Sequence, residues 1–312
     1  MKKNLKTKYD NNIGITEKLL SRNKTVPKDY HCDCYLDNYL GEIYNTVEDR
    51  YYSQRARNNY YDKKAGTHLA PGHFLGYRWA IQNFTEEGDW VLDPTVGTGT
   101  AIVEAINHGR NGAGIELEFP EITKANIDHQ FKRSHELPTG EYFFKQGNAK
   151  NIATILEDGN FEKESIQLVI NGTPYPTLGA TSSDAPERKN FNKDGSIGMN
   201  KTFDYNIEDN FGKKKGKEYW DLIRGMYMGC IPFMKVGGKM VILIKDMIRN
   251  KEPYLLHKMI IDEILNSTDE LKYYGTYLHK HIPPTLFMST YSKRFPEVKI
   301  PIYQTGIVLE KI

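Results

Sequence analysis

Asp93-Pro94-Thr95-Val96-Gly97-Thr98-Gly99-Thr100 decides the fold, read together with the apolar Trp90-Val91-Leu92 before it and the helix-patterned Thr100–Asn107 after it. A short buried strand running into a glycine turn and then into a helix is the opening βα step of an α/β sheet. Gly97 and Gly99 permit positive φ and a close approach of backbone to a ligand. In open sheets of this kind the carboxyl ends of the strands are where ligands bind.

Outward from that turn the chain alternates. Upstream, Gly72–Phe84 places Phe74, Leu75, Trp79 and Ile81 at helical spacing. Downstream, Gly112–Glu116 reads as a second strand, Pro120–His135 as a helix, Tyr142–Gln146 as a third strand and Ile166–Ile170 as a fourth. Tyr219–Met234 is a further helix, and Val236-Gly237-Gly238-Lys239 turns into the buried strand Met240–Ile244. The helix Leu255–Leu265 and strands near Tyr273–Leu278 and Ile302–Leu309 complete the pattern. Strands alternating with helices predict an α/β fold, a parallel doubly wound sheet with helices on both faces.

Two stretches break the alternation. Residues 1–65 are rich in Lys, Asn and Tyr and read as an N-terminal extension to a domain spanning 66–312. Within them, Asp49–Tyr61 interleaves arginines with tyrosines, as a nucleic-acid contact or a solvated surface helix would. Residues 178–217 are polar throughout, too long for an ordinary connection, and read as a functional loop inserted in the domain. Lys213-Lys214-Lys215 suits backbone phosphates there, or simply a solvated face.

Composition narrows the function classes. The chain has 312 residues, is 39% hydrophobic and 26% charged, and carries a formal net charge of +2, so any nucleic-acid contact must come from a local patch. No apolar run approaches the roughly 20 residues that span a bilayer, and no signal-peptide pattern opens the chain, which leads us to expect a cytoplasmic protein. Three cysteines, Cys32, Cys34 and Cys230, give no disulfide framework, and His31-Cys32-Asp33-Cys34 lacks a second pair at zinc spacing, so no metal is expected.

The ends of the strands carry the candidate chemistry. Glu116 closes the second strand, where a carboxylate can accept both hydroxyls of a ribose. Gly147-Asn148-Ala149 closes the third, where Asn148 can hydrogen-bond an adenine edge. The glycine turn lacks the third glycine of the dinucleotide pattern, and no Gly-Lys-Ser/Thr phosphate loop is present. The fourth strand runs into Asn171-Gly172-Thr173-Pro174-Tyr175-Pro176.

Taken together, these motifs resemble those of the amino-methylating DNA methyltransferases, over roughly residues 66–312. Asp93–Thr100 is similar to that family's Asp-Pro-x-x-Gly-Ser/Thr-Gly-Thr motif, and Thr67-His68-Leu69-Ala70-Pro71 to the segment preceding it. The stretch at 171–176 resembles its Ser/Asp/Asn-Pro-Pro-Tyr/Phe motif. Alignment on Pro174-Tyr175 puts Gly172 in place of the acidic, amide or hydroxyl residue and Thr173 in place of the first proline. Lys217–Trp220, Val236–Asp246, Arg249-Asn250, Leu256-His257 and Gly306–Leu309 look like the C-terminal half of small cytosine-N4 methylases.

The resemblance implies a Rossmann-like, seven-stranded class I methyltransferase sheet with S-adenosylmethionine as cofactor. It implies cofactor contacts at His68, Ala70, Asp93, Pro94, Thr95, Gly97, Gly99, Thr100, Glu116, Leu117, Asn148 and Ala149, with Asp93 facing the methionine amino group and Glu116 the ribose. The base pocket would be Asn171, Gly172, Thr173, Pro174 and Tyr175, with Asn171 or Thr173 offering the side-chain acceptor that Gly172 lacks.

The implied reaction is site-specific methylation of the exocyclic amine of a flipped base in double-stranded DNA, cytosine N4 favoured, with a restriction endonuclease as a possible partner. Adenine N6, RNA, or a catalytically degenerate nucleic-acid-binding homologue are the alternatives. C5-cytosine methylation is excluded, because that chemistry needs a nucleophilic cysteine and Cys230 sits inside a helix between Gly229 and Ile231.

Overall fold

The computed structural model describes residues 30, 32, 35, 37–45, 61–62, 72–132, 140–176, 210–249, 251–281, 293 and 295–312. Their elements run β1 (Tyr39–Asn45), α1 (Phe74–Phe84), β2 (Trp90–Asp93), α2 (Thr100–Asn107), β3 (Asn111–Glu116), α3 (Pro120–Lys132), β4 (Tyr142–Gln146), α4 (Ile152–Asp158), β5 (Ile166–Gly172), α5 (Gly216–Cys230), β6 (Met234–Ile244), β7 (Met247–Arg249), β8 (Glu252–Tyr254), α6 (Leu256–Leu265), β9 (Leu271–His281) and β10 (Tyr303–Lys311). Eight strands form one sheet in the order β1-β9-β10-β6-β5-β2-β3-β4, and β7 and β8 make a separate pair.

The sheet is parallel from β4 through β6, and only β10 is antiparallel to its neighbours. This is the expected α/β arrangement, a largely parallel, doubly wound sheet. Because both faces are covered, the strands read as continuous apolar runs. Val91, Leu168 and Ile170 point to the face held by α1 and α2, whereas Leu92, Val169 and Ile242 point to the face held by α4, α5 and α6. Between α2 and α3, Val96, Ile102, Ile106 and Ile127 pack together. Gly114 keeps this packing close, since a Cβ there would lie 2.8 Å from Ile102 Cδ1 and 2.9 Å from Val96 Cβ.

Three features depart from the expectation. An eighth strand, β1, comes from within residues 1–65 and pairs in parallel with β9. Its Ile43 is fully buried, so burial against the sheet outweighs the polar company it keeps in sequence. Helix α4, too short for a clear period, supplies Ile152 and Leu156 to the core. Finally, Val236–Lys239 lies within β6 rather than before it, with Gly237 at φ 78° where the pairing to β5 shifts register.

The cation–aromatic segment lies outside the described residues except for Tyr61. That ring is 3% exposed, and its hydroxyl donates to Glu104 Oε1 at 3.1 Å. Glu104 also pairs with the buried Arg78 at 2.9 Å. Tyr61 is thus a core residue rather than a stacking platform. Most of 178–217 likewise lies outside the described residues, and within its last turn Lys214 pairs with Glu218 at 2.7 Å. Cys32 is disulfide-bonded, although the small odd cysteine count argued against a disulfide framework. Among the described residues no helix is long and apolar enough to cross a membrane.

Candidate active site

The carboxyl ends of β2, β3 and β5 lie side by side, and the site is built there. Asp93, the last residue of β2, is 1% exposed, and its Oδ1 accepts the Thr95 N–H at 3.0 Å. The turn then closes through Val96 N–H on Ile115 O at 2.9 Å and Gly99 N–H on Val96 O at 2.9 Å. Gly97 and Gly99 sit at φ 54° and 86°, a region glycine enters without strain. From α3, Thr123 Oγ1 donates to Gly97 O at 2.5 Å and Asn126 Nδ2 to Thr98 O. Thr98 and Thr100 share a hydroxyl contact of 3.2 Å, both buried.

Glu116 organises the turn from the next strand. Its Oε2 accepts the Gly97 N–H at 2.9 Å, and its Oε1 accepts the N–H groups of Glu118 at 2.8 Å and Phe119 at 3.1 Å. Burial holds its pKa above the usual carboxylate range, with these N–H donors pulling the other way. The pKa of Asp93 is raised well above that range. Burial is the main cause, the Thr95 N–H opposes it, and the Glu116 charge adds to it. Among the described residues Asp93 receives no cation. Asn148 uses its Oδ1 to cap a short turn, accepting Lys150 N–H at 3.0 Å. Pro94 and Ala149 are buried, Leu117 partly so. His68 and Ala70 lie outside the described residues.

The stretch after β5 is held by tyrosine hydroxyls. Asn171 is fully buried; its Nδ2 donates to Thr95 Oγ1 at 3.0 Å and its Oδ1 accepts from Tyr227 OH at 2.7 Å. Thr173 Oγ1 meets the same Tyr227 hydroxyl. Tyr219 OH donates to Pro174 O at 2.8 Å, and Tyr175 OH accepts the Lys245 N–H at 3.0 Å. Tyr77 OH, from α1, accepts the Gly172 N–H at 3.1 Å. Strand alternation explains this division. Asn171 follows Val169 toward α5, whereas Gly172 follows Ile170 toward α1.

The structure therefore brings Asp93, Thr95, Gly97, Glu116 and Asn171–Tyr175 into one connected site, with the Asn171–Thr95 bond as its seam. Asn171, expected with Thr173 to offer an acceptor to substrate, spends its Oδ1 on Tyr227. Tyr227 gives its one proton to Asn171 Oδ1, so Thr173 Oγ1 donates to the Tyr227 oxygen and keeps acceptor capacity of its own. Tyr77, Tyr219, Tyr227, Thr123 and Asn126 belong to the site without having been singled out for it. Their only sequence signal is a polar atom on an otherwise core-facing helical position. Among the described residues no group of three or more His, Cys, Asp or Glu is placed to hold a metal.

A family model described as DNA methylase, covering the N6 and N4 types, matches residues 2–126. A type II methyltransferase, M.MthZI of Methanothermobacter thermautotrophicus, is 42% identical over 65 residues, which is 20% of this chain and 18% of that relative. The matched stretch thus spans under one fifth of the relative's length.

Among solved structures, an rRNA methylase from Streptococcus thermophilus aligns over 78% of this chain and 96% of its own, at 12% identity and TM-score 0.39. An S-adenosylmethionine-dependent methyltransferase from Methanosarcina mazei aligns over 74% and 96%, at 10% identity and TM-score 0.42. At those scores the fold rests on the strand order itself.

The cofactor of the methylase family is S-adenosylmethionine, and the residues fit it. Asp93, a buried carboxylate that meets no cation among the described residues, suits the ammonium of the methionine moiety. The phosphate-free turn with two left-handed glycines suits a ligand that approaches backbone closely.

Proposed function

We propose that this chain transfers a methyl group from S-adenosylmethionine to the exocyclic amine of a DNA base swung out of the duplex, cytosine N4 in preference to adenine N6. The observation that carries the reading is the Asn171–Thr95 hydrogen bond of 3.0 Å, which ties the Pro174-Tyr175 turn to the glycine turn. Donor and acceptor must be held in line, and positioning supplies much of the rate in such a transfer.

In this reading Asp93 holds the cofactor ammonium, while Glu116 keeps the turn in shape and offers its remaining acceptor capacity to the ribose. Asn148 and Ala149 border the adenine. The half-buried ring of Tyr175, fixed by the Lys245 N–H, stacks on the extruded base. An exocyclic amine is a poor nucleophile because its lone pair is delocalised into the ring. Acceptors for its hydrogens turn that pair toward the sulfonium methyl. Bound here, S-adenosylmethionine would supply the methyl group to the amine nitrogen, with sulfur keeping the pair of the broken carbon–sulfur bond and the amine proton leaving to water. The Thr173 backbone carbonyl is one acceptor. Duplex DNA is the partner this implies, and a cognate restriction endonuclease is the further partner of a type II system.

Labelled S-adenosylmethionine, unmethylated genomic DNA and nucleoside mass spectrometry test the reading. N4-methylcytosine is expected. N6-methyladenine would move the base assignment alone. No methylated nucleoside, with cofactor binding intact by calorimetry, would overturn the DNA reaction, and label in RNA would reassign the substrate.

A further inference from the structure

The structure places one unassigned polar group at the motif after β5. Gly172 is exposed at the end of its strand, and a side chain there would point toward α1. A Cβ built on Gly172 would lie 3.3 Å from the Tyr77 hydroxyl and 4.0 Å from Leu243 O. The Tyr77 oxygen therefore stands beside the place that a side chain at 172 would occupy, within van der Waals reach of its Cβ. It is held there by the Gly172 N–H at 3.1 Å and by burial of the ring, 5% exposed, against α1 and the sheet. Gly72 allows the close fit, since a Cβ on it would fall 2.6 Å from Tyr77 Cε2.

We propose that Tyr77 is a catalytic residue, supplying from α1 the side-chain oxygen that position 172 lacks, and that its hydroxyl accepts a hydrogen bond from the exocyclic amine. The proposal rests on the amino-methylation reading above. A phenol both donates and accepts. Tyr77 gives one lone pair to the Gly172 N–H and, among the described residues, takes no other hydrogen bond. Burial, with Asp93 nearby, pushes its pKa well above the usual value, so it keeps its proton at neutral pH. It thus acts as a neutral acceptor throughout. The amine lone pair forms the bond to the methyl carbon, sulfur keeps the pair of the broken carbon–sulfur bond, and the surplus proton on nitrogen goes to water. The geometry also explains why glycine serves at 172. A side chain would crowd the tyrosine oxygen that stands in for it.

The test compares Tyr77→Phe, Gly172→Ser and the double variant in methyl transfer to genomic DNA, with cofactor affinity read by calorimetry and folding by circular dichroism. Tyr77→Phe keeps the ring and loses the oxygen. Its kcat should fall roughly 10- to 100-fold while cofactor Kd stays within about twofold. Adding Gly172→Ser to Tyr77→Phe should restore activity, because the serine hydroxyl enters the vacated space. The same serine beside an intact Tyr77 should lower kcat.

Full kcat in Tyr77→Phe overturns the proposal. So does a loss confined to cofactor affinity, which would make Tyr77 a cofactor ligand instead. If Tyr77→Phe does not fold, Gly172→Ala decides. Its Cβ displaces the hydroxyl by a few tenths of an ångström, so lowered kcat supports the role and unchanged kcat removes it. An inactive wild-type chain that still binds cofactor removes the amino-methylation reading, and Tyr77's role with it. That result is distinct from an active Tyr77→Phe.

Discussion

The two halves of the site are built differently. The turn at 93–100 is shaped by its own backbone and held mostly by side chains within thirty residues of it, Glu116, Thr123 and Asn126. Glu116, 19 residues beyond Gly97, gathers N–H groups, and two glycines take left-handed φ. The stretch at 171–175 is fixed by hydroxyls from afar. Tyr77 lies 95 residues before Gly172, and Tyr227 lies 56 after Asn171. A turn that carries its own geometry announces itself in sequence. A strand end clamped by distant side chains does not, because nothing local distinguishes a clamping tyrosine from a core tyrosine.

The sharpest way to break this contrast is at Asp93. Asp93→Ala should weaken cofactor binding by roughly 10- to 100-fold in calorimetry, the scale of a lost hydrogen bond to a charged group. Asp93→Asn should lose binding too, yet raise the melting temperature of the cofactor-free protein at neutral pH. The sign follows from the raised pKa of Asp93 in the fold. Its contribution to stability is fully present below the unfolded value of about 4 and is lost as pH rises through the folded one. An unchanged melting temperature would mean that the buried carboxylate has found a cation.

Gly99→Ala comes next, expected to cost about 1–3 kcal/mol in chemical denaturation. Its φ of 86° is unfavourable for alanine, and the new Cβ would stand 3.3 Å from Thr123 Cγ2. A cost below a few tenths would show that the turn is not set by backbone. Tyr227→Phe probes the other half. It strips a partner from both Asn171 Oδ1 and Thr173 Oγ1, and should cost about 1–2 kcal/mol in the same assay. It should also lower methyl-transfer kcat more than cofactor affinity. Equal losses in both would merge the two halves into one unit.

The smallest effect at neutral pH belongs to His279, outside both halves. Burial pushes its pKa down to about 4. Its contribution to stability is present above the unfolded value of about 6.5 and is lost as pH falls toward 4. His279→Gln should flatten that acid limb of a melting-temperature profile, and a parallel profile would place the acid sensitivity elsewhere.

What the sequence determined by itself was the frame. The alternation of apolar strands and helices fixed the α/β class. The pair Gly97 and Gly99, with Glu116 one strand later, marked the glycine turn at the strand ends, because burial on both faces and positive φ leave direct marks on residue choice. Only the tertiary structure decided the rest. It recruited β1 from a polar segment by pairing it with β9, buried Tyr61 on Glu104, and committed Asn171 and Thr173 to Tyr227. It also brought the Tyr77 hydroxyl to Gly172. These contacts join residues tens to hundreds of positions apart. Strand register chooses which side chains face each other, and that register is a property of the assembled sheet.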